Sequence, residues 1–389
     1  MAGTPLRGMA AGAVNRHALY PVIVAGGGLA GSSVALRLAA AGREVLLLEK
    51  SRAAHDKVCG EFLSTEALQY LSGMGVDAIG LGAVPVRRVR LSRGERLAEA
   101  PLPFPAMSLS RRCLDEALLL AAANAGAEVR RGAQVNGVQP GDGGWHVEVG
   151  GAEALRCTNL FVATGKHDLR RLPRPEGSHS GLVGMKMYFR LGTAQAAALR
   201  DAVELLLFPG GYAGLQPVEG GRANLCLLVE RGLLRRFGGG WDALLDHMLR
   251  HLPHLRTRLG GAEPLLEAPL AVAAIPYGHV QRHSSPGLWR LGDQAAVIPS
   301  FSGDGMSIAL HSAALAAEHF LRGSSEETFQ QDLAGQVRAR IRLATTLSHL
   351  LVSAPWLATA AQLFPALLPQ VAALTRIPAR SLLAARRVA

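Results

Sequence analysis

The chain has 389 residues, of which 49% are hydrophobic and 18% charged, with a net charge of +11 and a pI near 10.2. That length exceeds one compact core and predicts about two or three lobes, and the apolar share excludes a disordered chain. Dispersed basic residues and an aromatic share of only 5% exclude a stacking platform for nucleic acid, while four cysteines without CxxC spacing fit a reducing cytoplasm.

Residues 1–20 carry Arg7, Arg16 and His17 without a continuous apolar core, so a loose extension is expected rather than a signal peptide. The apolar run Val22-Ile23-Val24-Ala25 then enters Gly26-Gly27-Gly28-Leu29-Ala30-Gly31. Such a strand delivers the chain to a tight turn at Gly26; Gly28 lets backbone approach a pyrophosphate, and Gly31 lets the next helix pack on the sheet. The helix, predicted over 29–41, opens with Leu29 and Ala30 and turns its unpaired N–H groups toward the phosphates. Gly42 stops it, and a buried parallel strand ends at Glu49, where the fingerprint expects a carboxylate to hold a ribose hydroxyl pair. Lys50 follows directly and counts with the cofactor-binding residues.

Beyond a turn region at 50–61 and a helix at 64–73, segments 86–91 and 96–98 read as a hairpin. Pro101, Pro103 and Pro105 are expected to break regularity after it. Arg87, Arg88, Arg90, Arg93 and Arg96 alternate through that hairpin and read as a solvated face. A helix at 114–125, a strand at 128–130, a small antiparallel excursion at 135–149 and a buried strand at 160–165 complete the first region. Strands are then predicted at 182–191, 203–208, 212–218 and 222–230, followed by a helix near 241–250.

Leu288-Trp289-Arg290-Leu291-Gly292-Asp293 makes a second strand and turn, and Gly303-Asp304-Gly305-Met306 opens a helix over 305–321. One glycine turn suits the ADP end of a dinucleotide and the other a distant part of the same ligand, so the simplest reading is one extended cofactor, FAD. The expected architecture is α/β. A Rossmann-like FAD-binding domain takes 20–80, 108–178 and 280–323, an antiparallel β-sheet substrate domain takes 81–107 and 179–279, and C-terminal helices occupy 324–389.

The ordered set GGGLAG…E, SRRCLDEAL, LFVATG and LGDQAAVIPSFSGDGMSIAL resembles the flavoprotein monooxygenases of the p-hydroxybenzoate hydroxylase fold and their relatives, the geranylgeranyl reductases. The resemblance covers most of residues 20–323. It implies that Asp293 holds the ribityl hydroxyls of FAD, that Arg111 lies on the cofactor, and that Gly303 and Gly305 open a helix facing the pyrimidine edge of the flavin. Lys57-Val58-Cys59-Gly60-Glu61 resembles a reductase-branch segment in which a cysteine approaches the flavin. Gly211-Tyr212-Ala213-Gly214-Leu215-Gln216-Pro217 resembles that branch's aromatic motif but lacks its central tryptophan and phenylalanine, a departure that favours oxygenation over reduction. The alternative for Cys59 is a small buried hydrophobe, and for Tyr212 sheet core. Where the hydroxylase branch has an Asp-Gly pair, this chain reads Ala163-Thr164-Gly165-Lys166. Electrons are therefore expected from transient NAD(P)H at the flavin face or from a partner reductase.

The expected activity is monooxygenation of an apolar or aromatic small metabolite, of the kind met in secondary metabolism; the alternative is hydride delivery to a carbon–carbon double bond. A third reading is a flavin-containing docking module for an acidic partner. Lys57, Cys59, Glu61, Lys186 and Tyr212 are the candidate catalytic groups of the cleft. Lys50, Lys57, Lys166 and Lys186 are the only lysines in an arginine-rich chain, and a retained lysine marks a place where a compact, titratable ammonium matters; chance is the alternative. His247, His251 and His254 share a helical face, but Pro253 interrupts it, so no metal site is expected. Residues 343–375 carry no charged side chain. They read as helices packed on the flavin domain, the alternative being peripheral membrane contact with Arg376, Arg380, Arg386 and Arg387 near headgroups.

Overall fold

The computed structural model describes residues 19–151, 153–174 and 181–353, with 373, 374, 376, 377 and 382. The rest of the expected C-terminal helical region, including Arg380, Arg386 and Arg387, lies outside the described residues. In chain order the first elements are β1 (Leu19–Ala25), α1 (Leu29–Ala40), β2 (Val45–Glu49), β3 (Phe62–Leu63) and α2 (Thr65–Gly73). Then come β4 (Val84–Arg93), β5 (Arg96–Ser108), α3 (Arg111–Asn124), β6 (Glu128–Arg131), β7 (Val135–Gly141), β8 (Gly144–Val149) and β9 (Glu153–Val162). The middle of the chain supplies β10 (Leu182–Arg190), α4 (Thr193–Leu199), β11 (Ala202–Phe208), β12 (Gly211–Val218), β13 (Arg222–Glu230), α5 (Arg231–Arg236), α6 (Trp241–His251) and α7 (Pro253–Leu259). Finally come β14 (Glu263–Pro264), β15 (Leu270–Ala273), β16 (Leu288–Arg290), α8 (Gly305–Leu321) and α9 (Glu326–Ser353).

Two sheets result. The first runs β6-β2-β1-β9 in parallel, with β16 beside the end of β9 and the β7–β8 hairpin beside its start. Its central strands β1 and β2 are largely apolar because both faces are covered. Val34 and Leu38 of α1, Ile308 of α8 and Val337 of α9 pack one face, and Val138 and Val147 of the hairpin pack the other.

The second sheet runs β14-β10-β13-β12-β11-β4-β5-β3, antiparallel except where β11 meets β4. Its strands alternate with period two. Met185, Met187, Leu225 and Leu227 meet Leu244 and Met248 of α6 on the outer face. Between them in sequence, Lys186, Tyr188, Asn224 and Cys226 turn to the inner face, toward the first sheet.

Two expectations are corrected. β5 continues through Pro101, Pro103 and Pro105; alternate prolines leave their missing N–H groups on one edge, and the register to β4 jumps from Arg88↔Pro101 to Val86↔Ala106 across a bulge. Arg90 is not solvated: it is 7% exposed and pairs with Glu204 at 2.9 Å and Glu99 at 2.5 Å.

Candidate functional site

The glycine loop after β1 is fixed by sterics. Gly26 has φ +107°, and a Cβ there would lie 2.6 Å from the Ala163 carbonyl oxygen. A Cβ on Gly31 would come within 1.8 Å of the Gly26 oxygen. Among the described residues, what a Cβ on Gly28 would meet within 4 Å is two cations, Arg111 Nη2 at 3.4 Å and Lys57 Nζ at 3.7 Å. Gly28 is also the N-cap of α1, whose first amides receive no side-chain cap. Uncapped amides beside two cations form an anion cradle, and a pyrophosphate fits it.

Glu49 is buried behind this loop, accepting hydrogen bonds from the backbone N–H of Gly27 at 2.7 Å and of Ser51 at 2.8 Å. Burial pushes its pKa up, but the Ser51 N–H, the Lys57 charge and the Gly27 N–H prevail, leaving it below the usual carboxylate range. It is an ionised acceptor with lone pairs left for ribose hydroxyls.

The second loop is a 3₁₀ turn over Gly292–Gln294. The Gly292 N–H donates to Ser312 Oγ at 2.9 Å, and Gln294 Nε2 donates to the carbonyls of Gly165 at 2.8 Å and His167 at 3.0 Å. Asp293 is thereby presented with its side chain 27% exposed, 3.9 Å from Lys166 Nζ. Gly303, at φ +74°, passes so close to Phe62 that a Cβ would sit 2.8 Å from Cδ1; Gly305 and Met306 then open α8. Every cofactor-binding residue expected from the sequence lines one cavity of about 1050 Å³, except Gly31, which packs behind the loop.

Segment 57–61 joins the two sheets along this cavity. Lys57 Nζ donates to Asp115 at 2.7 Å, and Arg111 holds the same carboxylate with two hydrogen bonds of 2.8 and 2.9 Å. Burial lowers the Arg111 pKa, but Asp115 and Cys59 outweigh it and the guanidinium stays charged. Cys59 lines the cavity, and its Sγ accepts from the Glu61 N–H at 3.3 Å. Asn224 Nδ2, from β13, donates to the carbonyls of Cys59 at 3.1 Å and Gly60 at 3.0 Å.

Glu61 is 0% exposed and adopts φ +62°, a left-handed conformation unusual for a glutamate. Its carboxylate meets Lys186 Nζ at 2.6 Å, accepts from Tyr188 Oη at 2.7 Å and from the Arg111 N–H at 2.8 Å. The ammonium is an ionic neighbour without an aligned hydrogen bond. Burial pushes the Glu61 pKa up, against the pull of Lys186, Arg111 and Tyr188.

Among the candidate catalytic residues, Cys59 and Glu61 are brought together by this staple, with Lys186 behind them. Lys57 stands beside Gly28 at the glycine loop. Lys186 and Tyr212 are not among the cavity-lining residues; Tyr212 is 4% exposed, with its ring edge-on to Phe301 at 6.3 Å. Within the same strand, Gly214 and Gln216 do line the cavity, and Gln216 Nε2 is buried without a hydrogen-bond partner among the described residues. Cys226 also lines it, its thiol pushed up to about 12 by burial. Sequence reasoning missed Tyr188, Asn224, Gln216 and Asp115. Asp115 lies one helical turn after Arg111, and Tyr188 two strand positions after Lys186, spacings that could have revealed both.

The cavity continues from the loops across the inner face of the second sheet, past Val89, Leu91, Leu205, Leu228 and Val272, to Leu347 and Leu350 of α9. At the β5 side Phe104 lines it, and Arg376 stacks 3.6 Å above that ring while donating to Glu66 at 2.9 Å. His254 meets Glu204 and His247 meets the Pro209 carbonyl, and no group of three or more His, Cys, Asp or Glu among the described residues could hold a metal ion. No helix among them is long and apolar enough to cross a membrane.

Residues 19–167 match the family described as FAD binding domain. A menaquinone reductase of Mycolicibacterium smegmatis is 27% identical, covering 78% of this chain and 76% of that protein. A digeranylgeranylglycerophospholipid reductase of Methanopyrus kandleri is 28% identical, over 77% and 76%. Among solved structures, the flavin-dependent brominase Bmp2 superposes with a TM-score of 0.72 at 18% identity, over 92% of this chain and 93% of its own. A geranylgeranyl bacteriochlorophyll reductase-like protein of Thermoplasma acidophilum gives 0.70 at 20% identity, over 94% and 95%. At such identities the structural likeness speaks to the fold. Taken with the sequence matches and the two glycine loops on one cavity, it marks this chain as an FAD-dependent oxidoreductase with an FAD binding domain at residues 19–167, similar over most of its length to reductases of the geranylgeranyl type.

Proposed function

We propose that this FAD-dependent oxidoreductase is a reductase that saturates a carbon–carbon double bond in a long, apolar, lipid-like substrate. The observation that carries the reading is the apolar run of the cavity across the second sheet, from Val89 and Leu91 to Leu350. The names of the relatives, a menaquinone and a digeranylgeranylglycerophospholipid reductase, support it.

Bound FAD supplies the two-electron hydride chemistry, replenished by NAD(P)H or a partner reductase. Lys57 and Arg111 hold its diphosphate beside Gly28, Glu49 its adenosine ribose and Asp293 its ribityl hydroxyls. The leucines and valines of the inner face exclude water from the reacting carbons. Cys59 holds a proton for the carbon next to the one reduced, with Glu61 and Lys186 acting through it as positioning residues. Tyr212 forms the wall behind the cavity. Peripheral membrane contact would bring a lipid-like substrate to the mouth.

A second reading, hydroxylation of an aromatic or apolar small metabolite, is favoured by Gly214 and Gln216. Both line the cavity where bulky aromatics would narrow it, leaving width and an unpartnered amide. Incubation with a lipid quinone or polyprenyl lipid, anaerobically and under ¹⁸O₂, separates the two. A product gaining two hydrogens without oxygen supports reduction; ¹⁸O in the product would replace that reading with hydroxylation.

A further inference from the structure

A second cavity, of about 610 Å³, lies along α9, lined by Arg282, Gln331, Ala334, Gly335, Arg338, Ala339 and Arg342. Arg338 and Arg342 are one turn apart on α9 and project from one face, and Arg282 meets them from the loop before β16. None of the three has an ion pair or hydrogen bond among the described residues. Two acids earlier on α9 are engaged elsewhere: Glu327 accepts from His283, the Ser284 N–H and Gln331, and Asp332 pairs with His319 at 3.1 Å. Three guanidiniums line one cleft with no carboxylate among its lining residues, an arrangement that favours an anion.

Gly335 is the second observation. It sits inside a helix of 28 residues, where glycine costs about 1 kcal/mol against alanine. A Cβ there would meet nothing within 4 Å, so packing does not require the glycine. Together with Ala334 and Ala339 it leaves the helix backbone bare between the arginines, which is where a bulky, multiply charged group needs room.

We propose that this cleft binds a phosphate group, gripped by Arg282, Arg338 and Arg342 over the Gly335 floor. Guanidiniums match the oxygens of phosphate with paired hydrogen bonds, and the charge of a phosphate ester or diphosphate meets that of the three arginines. The group is carried either by a soluble phosphate or by the headgroup of an anionic phospholipid. The inference does not depend on which reaction the flavin site performs.

The test uses the full FAD-loaded chain, inorganic pyrophosphate followed by calorimetry at low salt, and sedimentation with phosphatidylglycerol or phosphatidylcholine vesicles. The variants are Arg338→Gln/Arg342→Gln, which removes charge, and Gly335→Leu, which fills the floor with a good helix former. Arg235→Gln/Arg236→Gln, at exposed positions elsewhere, controls for net charge. Pyrophosphate binding weakened about tenfold or more in both cleft variants, but not in the control, supports a soluble phosphate. Loss confined to phosphatidylglycerol vesicles supports a lipid headgroup. Binding that is absent, or that falls equally in the control, overturns the proposal.

Discussion

The Glu61 carboxylate and the Lys186 ammonium lie 2.6 Å apart, neither side chain exposed, and they tie the loop after β2 to β10 of the second sheet. A buried pair of this kind is worth little against an apolar replacement, but breaking it strands a charge. Lys186→Met is expected to destabilise the fold by about 3–5 kcal/mol in urea, and Glu61→Gln/Lys186→Met to recover much of that. The deficit of the single variant should shrink at acid pH, where Glu61 takes up a proton. Equal losses in single and double variants would remove the pair from the account.

Gly31→Ala is expected to purify without flavin. Its new Cβ would lie 1.8 Å from the Gly26 oxygen, a backbone atom that cannot yield. Gly73→Ala, where a Cβ meets nothing within 4 Å, should stay yellow. Visible absorbance after gel filtration reads both.

His311 is 1% exposed, between Tyr70 Oη at 2.6 Å and Gln336 Oε1 at 2.7 Å. Burial holds its pKa down at about 4, against an ordinary 6.5. The unfolded chain therefore binds the proton first. Stability is full above pH 6.5, falls as the pH drops from 6.5 toward 4, and loses no more to this group below that. The loss is about 3 kcal/mol, read as a falling melting temperature that His311→Gln flattens.

Gln216→Leu is expected to raise KM about tenfold for a substrate bearing a carbonyl, the effect of one unmade hydrogen bond of about 1–2 kcal/mol. Leu205→Trp should abolish turnover while flavin content is unchanged, since Leu205 lines the apolar stretch of the cavity. Unaltered kinetics in both would move the substrate elsewhere.

The parts of the fold readable in the sequence are those made by neighbours in the chain. β1, α1 and β2 follow from an apolar run, three glycines with distinct steric duties and a terminal acid, all within 31 residues. The four strands β10 to β13 show period-two alternation between glycine turns. Their place in the sheet was not legible, because β11 joins β4 in parallel across more than a hundred residues of chain and no local pattern encodes that pairing. Nor could periodicity reveal that Arg90 turns inward, since Glu204, its partner, is equally remote. The glycine loops were found for the same reason that the Tyr188 and Asn224 contacts were not. A turn advertises itself in composition, whereas a staple between distant segments is written only in three dimensions.

Segment 57–61 has a further consequence. One end of it shares a carboxylate with Arg111 beside Gly28, and the other is locked by Lys186, Tyr188 and Asn224. A ligand held beside Gly28 and the seating of the second sheet are thus linked through one segment. Emptying the protein of flavin should quicken amide exchange in β10 and β13, in the other sheet from the glycine loop, and refilling it should slow exchange there again.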